Sequence, residues 1–207
     1  MNNQIVKQKI QATIKNIQTR NDGSPVTNLK LDRTLEKEIE QLTTDLESLN
    51  PHPQPLLYTP NLLEGTWQLL YSTAREIRSL DSLPLGLKVG KIYQVINVAN
   101  KTFFNIAQVQ HPLKLISGYV KVTASFEPGI NTSGLADKRI NVYFDKRYLA
   151  IEKIVGIETP KLNPFKVVQA NNPRGRVATL DITYLDENFR IGRGGDESLF
   201  ILNKANV

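Results

Sequence analysis

The chain lacks cysteine altogether, and its 207 residues include only two histidines. Without cysteine there are no disulfides, thiolate metal sites or cysteine nucleophiles. His52 and His111 stand in Pro-His-Pro and His-Pro contexts, without the partner spacing that a histidine metal site or a Ser-His-Asp triad needs. We therefore expect a non-enzymatic protein with no metal, no cofactor and no catalytic residues.

Long hydrophobic runs are also missing. No apolar run approaches the roughly 20 residues that span a bilayer. The N-terminal segment M-N-N-Q-I-V-K-Q-K-I has neither the apolar core of a signal peptide nor the arginine- and serine-rich character of a transit peptide. We expect a soluble protein, or one that lies on a membrane from the side on which it is made.

Acidic side chains offer the remaining route to catalysis, as an acid and base pair. Four of them lie where turns are expected, and turns favour acidic residues in any case: Asp186, Glu187, Asp196 and Glu197. Asp181 falls in mid-strand, out of phase with the apolar face, where we expect an exposed charge or a partner for Arg190 across the hairpin. The glycines at 192, 194 and 195 indicate a hairpin turn, because no lysine with serine or threonine follows them as in a phosphate loop.

Residues 177–204 carry the clearest β pattern. Ala178, Leu180, Ile182 and Tyr184 fall on one face, which is the two-residue period of a half-buried strand. Polar breaks at 186–188 and 192–196 separate this strand from two shorter apolar ones. Three strands joined by tight turns predict an antiparallel meander.

Residues 1–50 show helical spacing instead. Apolar residues recur at intervals of three and four in two stripes: Val6, Ile10, Ile14 and Ile17, then Leu35, Ile39, Leu42, Leu46 and Leu49. We predict a helical hairpin over 1–50, whose first helix ends near 21–23 and which packs on the outside of the following sheet. A coiled-coil dimer or a membrane-lying helix stays open as the alternative.

Prolines at 51, 53, 55 and 60 indicate a stiff linker over 51–60. From residue 61 about nine short alternating segments follow, including 139–145 and 148–157 on either side of a turn at 145–147. No helix-length pattern lies between them, which argues against parallel crossovers. We predict a fold that is mainly β with N-terminal helices: an antiparallel up-and-down barrel or a sandwich over 61–204, preceded by the helical hairpin.

Two segments, 75–90 and 158–175, are long connections that carry apolar residues. Loops of this length in a compact domain are usually functional or disordered, and their apolar content argues against disorder. We interpret them as a lid or a membrane-touching edge, through Leu80, Leu83, Leu85, Leu87 and Phe165. The alternative is that they only cover the barrel rim.

The net charge of +6 is concentrated in one segment. Residues 138–176 carry nine basic and three acidic side chains, which accounts for the whole excess. Its basic patch consists of Lys146, Arg147, Lys153, Lys161, Lys166, Arg174 and Arg176. Such a patch indicates an anionic partner, either an anionic membrane surface or nucleic acid, or else it is a solvated face of mixed charges. The neighbouring aromatics sit in strand runs, which argues against base stacking and so against nucleic acid.

Three motifs carry a resemblance to a known family. Gly65-Thr66-Trp67 is the Gly-x-Trp signature of lipocalin-like barrels. Together, L-x-G-x-W-x-L-L-Y-S-T at 63–73, G-K-I-Y-Q-V-I-N at 90–97 and L-D-I-T-Y-L-D-E-N-F-R-I-G-R-G-G-D-E-S-L-F-I-L at 180–202 resemble the plastid-lipid-associated proteins, also called fibrillins or plastoglobulins. The resemblance covers residues 31–203. Many members read Arg-Gly-Asp where this chain has Arg193-Gly194-Gly195-Asp196, so a role of Asp196 is not carried over.

The resemblance implies a non-enzymatic protein of a photosynthetic organism, with a lipocalin-like barrel that holds lipids, prenylquinones or carotenoids and takes part in photoprotection. Because a transit peptide is absent, the chain resembles a cyanobacterial member of the family. Such a member is expected at the cytoplasmic face of the thylakoid membrane or in the cytoplasm. An arginine, either Arg190 or Arg193, is implied over Trp67, where it stabilises by about 1–2 kcal/mol when desolvated.

The positions that we assign to the barrel interior come from the alternation along the strands. They are Trp67, Leu69, Tyr71, Val120, Val122, Phe126, Val142, Phe144, Leu180, Ile182 and Tyr184. These side chains either line a cavity or fill it, and the sequence leaves both open, including a packed barrel that acts as a basic interaction module. In a hollow barrel, a large aromatic at Val122 or Ile182 would block the ligand.

Overall fold

The chain folds into a closed antiparallel β-barrel with two helices packed on its outside. The computed structural model describes residues 2–20, 33–78, 80, 83, 86–130, 133–170 and 176–205. The expectations for Leu85, for Arg174 and for the end of the first helix at 21–23 fall outside the described residues.

Four α-helices are described, three before the first strand and one after it. Helix α1 spans Asn3–Arg20 and α2 spans Arg33–Glu47, as the two apolar stripes predict. The proline-rich linker contains a single helical turn, α3 (Pro55–Tyr58), and a 3-10 turn at Pro60–Leu63. A fourth short helix, α4 (Arg75–Arg78), follows the first strand.

Ten strands are described, and eight of them close the barrel. They are β1 (Gly65–Ser72), β2 (Lys88–Asn97), β3 (Thr102–Gln110), β4 (Ile116–Ile130), β5 (Ala136–Ile154), β6 (Ile157–Glu158), β7 (Lys166–Gln169), β8 (Ala178–Leu185), β9 (Phe189–Gly194) and β10 (Leu199–Lys204). The order β4-β3-β2-β1-β10-β9-β8-β5 closes through a further pairing of β4 with β5, and every pairing is antiparallel. The predicted fold class is confirmed.

The predicted turn at residues 145–147 is wrong, because β5 runs through it as one continuous strand. A β-bulge opposite Val122 and Ala124 absorbs the irregularity. There the Thr123 hydroxyl contacts both the Asp145 carboxylate and the Lys146 amide, each at 3.2 Å. Beyond this point β5 leaves β8 and pairs with β7 and β6 instead. A turn-like sequence therefore marks a change of partner and not the end of the strand.

Two β-bulges also decide which side chains face the interior. One lies between Leu69 and Tyr71 on β1, and the other between Ile182 and Tyr184 on β8. A bulge adds one residue, so every side chain beyond it changes face. The alternation assigns Tyr71 and Tyr184 to the interior, but the structure places both on the outer face.

The outer face of the barrel carries one apolar row across four strands. Register pairs Tyr71 with Ile201, Ile201 with Ile191, and Ile191 with Tyr184. This row belongs to the same buried cluster as the apolar stripes of α1 and α2. The expected packing of the helical hairpin on the outside of the sheet is thus confirmed.

Polar contacts add to the attachment of α1. The Lys7 ammonium lies 2.7 Å from a carboxylate oxygen of Asp186, which also accepts a hydrogen bond from the Tyr184 hydroxyl at 2.8 Å. Burial acts to raise the pKa of Asp186, but the hydrogen bonds from Lys7, the Asn188 amide and Tyr184 outweigh it and lower the pKa. The carboxylate therefore stays ionised on the helix-facing side of the β8–β9 turn.

We expect Thr43→Val to raise the free energy of unfolding by about 1 kcal/mol. Thr43 lies within the buried stripe of α2 at 0% exposure, and its hydroxyl has no hydrogen-bond partner among the described residues. Valine keeps the shape and removes the buried polar atom. Chemical denaturation would measure the change. Thr44→Val is the control, because the Thr44 hydroxyl is exposed and donates to the Glu40 carbonyl; a lower stability for Thr43→Val than for this control would contradict the expectation.

Candidate ligand site in the barrel interior

The barrel interior is an apolar cluster organised around Trp67. This indole is fully buried, and its Nε1 donates a hydrogen bond to the Leu63 carbonyl at 2.9 Å. Leu63, the last residue of the 3-10 turn, belongs to the same cluster. The Gly-x-Trp motif therefore anchors the start of β1 to the 3-10 turn that precedes it.

Arg190 places a charge inside this apolar cluster. Strand β9 alternates, so Arg190 and Gly192 point inward while Ile191 and Arg193 point outward. The guanidinium carbon of Arg190 lies 4.9 Å from the centre of the Trp67 ring, and the guanidinium donates to the side-chain oxygen of Gln94. Burial lowers the pKa of Arg190 to about 9, so the group stays protonated at neutral pH. No described acidic side chain forms a salt bridge with it.

A second cation, Lys204, approaches the same indole ring. Its ammonium lies 4.4 Å from the ring centre and donates to the carbonyl of Leu62 at 3.3 Å and to that of Glu64. Burial lowers the pKa of Lys204, and the charge of Arg190 lowers it further. The barrel end at Trp67 is therefore electropositive.

A small cavity lies against Arg190. Its volume is about 30 Å³, about that of one water molecule. Its lining residues are Leu63, Gln94, Ile96, Phe103, Phe126, Ile140, Val142, Leu180, Ile182 and Arg190. The lining of this cavity is apolar apart from Gln94 and Arg190.

The predicted interior residues divide into three groups. Trp67 and Leu69 are buried in the interior cluster, and Phe126, Val142, Leu180 and Ile182 line its cavity. Val120 and Phe144 are half-buried and pack against the cluster, whereas Val122 is half-buried and lies outside it. Tyr71 and Tyr184 lie on the outer face for the reason given above.

Sequence reasoning missed several residues that line the cavity, and Gln94 is the polar one among them. It stands between Ile92 and Ile96 on β2, and both isoleucines face the interior. A polar residue at an inward position of an alternating strand is a detectable signal, because a buried amide needs a hydrogen-bond partner. The cation that it contacts, Arg190, lies on a distant strand, which no spacing in the sequence indicates.

Three of the predicted lid residues pack against the barrel interior. Leu80, Leu83 and Leu87 are half-buried and pack against the interior cluster, as does Ile77 of α4. Phe165 does not join them; it lies half exposed, next to β7. The segments 75–90 and 158–175, which have similar sequence patterns, therefore differ: the described leucines of the first pack on the barrel interior, and Phe165 of the second is half exposed.

Arg193 does not lie over Trp67 but joins the barrel to α2. Its guanidinium donates to both carboxylate oxygens of Glu47, at 2.7 and 3.0 Å, and lies 2.7 Å from Glu40. These hydrogen bonds raise the pKa of Arg193 above its usual range, those to Glu47 most.

Asp181, which the sequence offers as a partner for Arg190, pairs with Arg139 at 2.6 and 2.9 Å instead.

The basic patch lies mostly on one extension of the sheet, which we call the arm and define as residues 111–122 and 146–170. It contains the parts of β4 and β5 beyond the β5–β8 pairing, together with β6, β7 and their turns. The arm includes Lys146, Arg147, Lys153, Lys161 and Lys166, whereas Arg176 lies just before β8. The Asp196 carboxylate accepts from the Ser198 amide and hydroxyl within its own turn.

The described residues form neither a metal-binding cluster nor a membrane-spanning helix. Across those ranges, no group of three or more acidic or histidine side chains is arranged to hold a metal ion. Among the helices of the described part, none has both the length and the apolar character needed to cross a membrane.

We expect Glu47→Gln to lower the free energy of unfolding by about 2 kcal/mol, because it removes the charge from a largely buried bidentate pair. The Thr183 hydroxyl also donates to Glu47 at 2.5 Å, so three contacts depend on this carboxylate. Glu40→Gln is the matched control: its carboxylate touches the same arginine but is half exposed, and its loss should cost less than about 1 kcal/mol. Thermal and urea unfolding would measure both, and equal losses would contradict the assignment.

Comparison with known proteins places this barrel among its relatives. The chain matches the family PAP_fibrillin over residues 6–203. Plastoglobulin-1, chloroplastic, of Pisum sativum is 30% identical over 195 residues, covering 80% of this chain and 53% of that protein. The chromoplast-specific carotenoid-associated protein of Cucumis sativus is 34% identical over 202 residues, covering 85% of this chain and 62% of that protein.

Among solved structures, bovine odorant binding protein complexed with its natural ligand matches with a TM-score of 0.32 and 13% identity, over 70% of this chain and 73% of that one. The chain spans between about half and three fifths of the length of the curated relatives that it matches. The family match covers almost all of the described barrel and both helices, and the family predicted from the three motifs is confirmed. The chain belongs to the PAP/fibrillin family of plastid-lipid-associated proteins.

Proposed function

We propose that the protein is a non-catalytic lipid- or isoprenoid-associated protein of the photosynthetic membrane surface. The observation that carries the proposal is the apolar barrel interior, with one buried cation, Arg190, beside a residual cavity. Such an interior suits a largely apolar molecule with one polar oxygen that can accept a hydrogen bond from a guanidinium. Prenylquinones, carotenoids with oxygen substituents and acyl lipids share this chemistry.

The names of relatives in the family also support an association with lipids or isoprenoids. One relative is named as carotenoid-associated and several as plastid-lipid-associated, and we extend that association to this chain. We place it at the cytoplasmic face of a thylakoid membrane or in the cytoplasm of a cyanobacterium, with a part in photoprotection. The 61–204 barrel, the 1–50 helical hairpin and the 51–60 linker are the units that we propose for it.

Ligand entry requires the interior to open. Pockets for small organic ligands usually measure about 300–1,000 Å³, whereas the closed interior retains about 30 Å³. The side chains of Ile77, Leu80, Leu83 and Leu87 cover the interior and are only half-buried themselves. We propose that they act as the lid, because displacing half-buried side chains costs less than displacing a wall of the barrel.

Docking to an anionic lipid surface is a second proposed activity, favoured by the arm. Its residues carry seven basic and two acidic side chains, a net charge of +5 out of +6 for the whole chain. Nucleic acid would also suit this charge. Phosphate-backbone binding falls steeply with salt, whereas binding that also buries apolar side chains in lipid survives moderate salt.

We expect the wild-type protein to retain phylloquinone or β-carotene after incubation and gel filtration, as seen by native mass spectrometry and organic extraction. Val142→Phe should abolish retention, because Val142 lines the cavity at 5% exposure and the larger ring fills it. Val177→Phe makes the same change at an exposed position outside the interior. If the wild type stays free of ligand, or if both variants retain it equally, the barrel interior is not the binding site.

A further inference from the structure

Two turns meet at the end of the arm and form what we call the tip: Leu113, Leu115, Ile154, Val155 and Ile157. The first two residues belong to the turn between β3 and β4, and the other three to the β5–β6 hairpin. The turns are joined directly, because the Val155 amide donates to the Leu115 carbonyl at 2.7 Å and Ile154 pairs with Ile116. The two turns are therefore neighbours although they come from separate parts of the chain.

The tip is exposed and apolar. Leu113 is 74% exposed, Val155 68% and Ile157 72%, and the other two tip residues are also exposed. Scattered single apolar residues on a surface are normal, whereas a group of them at one point indicates an interaction site. Leu113, Val155 and Ile157 therefore keep most of their apolar surface in solvent within the described fold.

The backbone at Val155 shows that the fold itself does not favour an apolar residue there. Ile154 pairs with Ile157, so Val155 and Gly156 form a two-residue hairpin connection, with φ of 49° and 81°. Positive φ at both residues is the type I′ pattern, for which Asn-Gly is preferred. A β-branched residue in this region is strained, since its Cβ crowds the backbone. The chain thus carries an exposed valine where asparagine would suit the fold better.

Basic side chains lie beside the tip and along the arm, with Glu158 opposite Lys153 in the β5–β6 hairpin. Lys114 lies within the first turn and Lys153 next to the second, and five further basic side chains follow along the arm, for a net charge of +5. An anionic bilayer has a hydrocarbon interior beneath a layer of phosphate head groups. The apolar side chains of the tip suit the hydrocarbon, and the basic side chains behind them suit the head groups. A purely aqueous anion would leave the apolar residues without a partner.

We propose that the tip of the arm inserts into an anionic lipid bilayer, with the basic side chains of the arm on the head groups. This inference rests on the proposed function, since it names the surface by which a lipid-associated protein would attach. It assigns attachment to the β5–β6 and β3–β4 turns, not to the helical hairpin or the barrel rim. The apolar side chains supply the salt-resistant part of binding and the basic ones the preference for anionic lipid.

The first test uses the absence of cysteine, which allows one introduced thiol to be labelled alone. Val155→Cys and Ile130→Cys, each labelled with the environment-sensitive dye NBD, are mixed with vesicles of phosphatidylcholine and phosphatidylglycerol. Ile130 is a matched exposed position, at 74%, at the opposite end of β4 from the tip. We expect a blue shift of the emission and quenching by lipids brominated in the acyl chain at position 155 only.

The second test measures vesicle affinity by flotation for Val155→Asn and Ile157→Asn against Ile130→Asn. Each tip variant should bind about tenfold more weakly, because one inserted aliphatic side chain contributes about that factor, while Ile130→Asn should bind like the wild type. Val155→Asn should at the same time keep or raise the melting temperature, because asparagine suits the positive φ. Weaker binding with unreduced stability separates insertion from a folding defect.

Several results would overturn the inference. If the wild type floats with anionic vesicles and the tip variants float equally well, the tip is not the insertion site, although lipid association stands. If the wild type binds no vesicles, surface docking falls together with the tip, while ligand retention in the interior is judged separately. A blue shift at position 155 that grows with protein concentration without vesicles would assign the tip to a contact between copies of the chain.

Discussion

The architecture depends on where two β-bulges fall. Beyond the bulge on β1 and the bulge on β8, the inward and outward faces of the strands are exchanged. The exchange brings Tyr71 and Tyr184 to the outside, where they extend the isoleucine pair of β9 and β10 into one row. An apolar row on the outside of a small barrel must be covered, and α1 and α2 provide the cover. The helical hairpin is therefore a structural consequence of the bulges and shares a core with the barrel.

The same alternation places one arginine inside and one outside within four residues. Arg190 lies inside on the Trp67 ring with an amide partner, and Arg193 lies outside on Glu47 and Glu40. A buried cation without a carboxylate is costly unless other groups stabilise it. The indole face and the Gln94 oxygen do so here, and the cost leaves a polar point in an otherwise apolar interior. This point distinguishes the interior from an ordinary packed core, in which every wall is apolar.

The two ends of the sheet serve different purposes. The end at Trp67 is closed by the 3-10 turn and by Lys204, where the indole Nε1 donates to the Leu63 carbonyl and the Lys204 ammonium donates to the carbonyls of Leu62 and Glu64. The arm has no such cover, because β5 continues beyond its pairing with β8 and there pairs with β4 on one edge and with only the short strands β6 and β7 on the other. Short edge strands with charged side chains resist pairing with other chains. An exposed apolar group at the far end of such an edge is better suited to lipid than to another sheet.

Periodicity determined both helical stripes, the antiparallel strands and the meander of β8, β9 and β10, and the motifs that include Trp67 indicated the family and its barrel. These features are local, since a period of two or of 3.6 residues is set by the backbone. The tertiary structure alone decided which face Tyr71 and Tyr184 take, that Arg190 and not Arg193 contacts Trp67, and that Gln94 meets Arg190. It also decided that the turns containing Leu113 and Val155 are neighbours. A bulge reverses a face without a mark in the hydrophobic pattern, and contacts between distant strands depend on register, which no spacing within one strand contains.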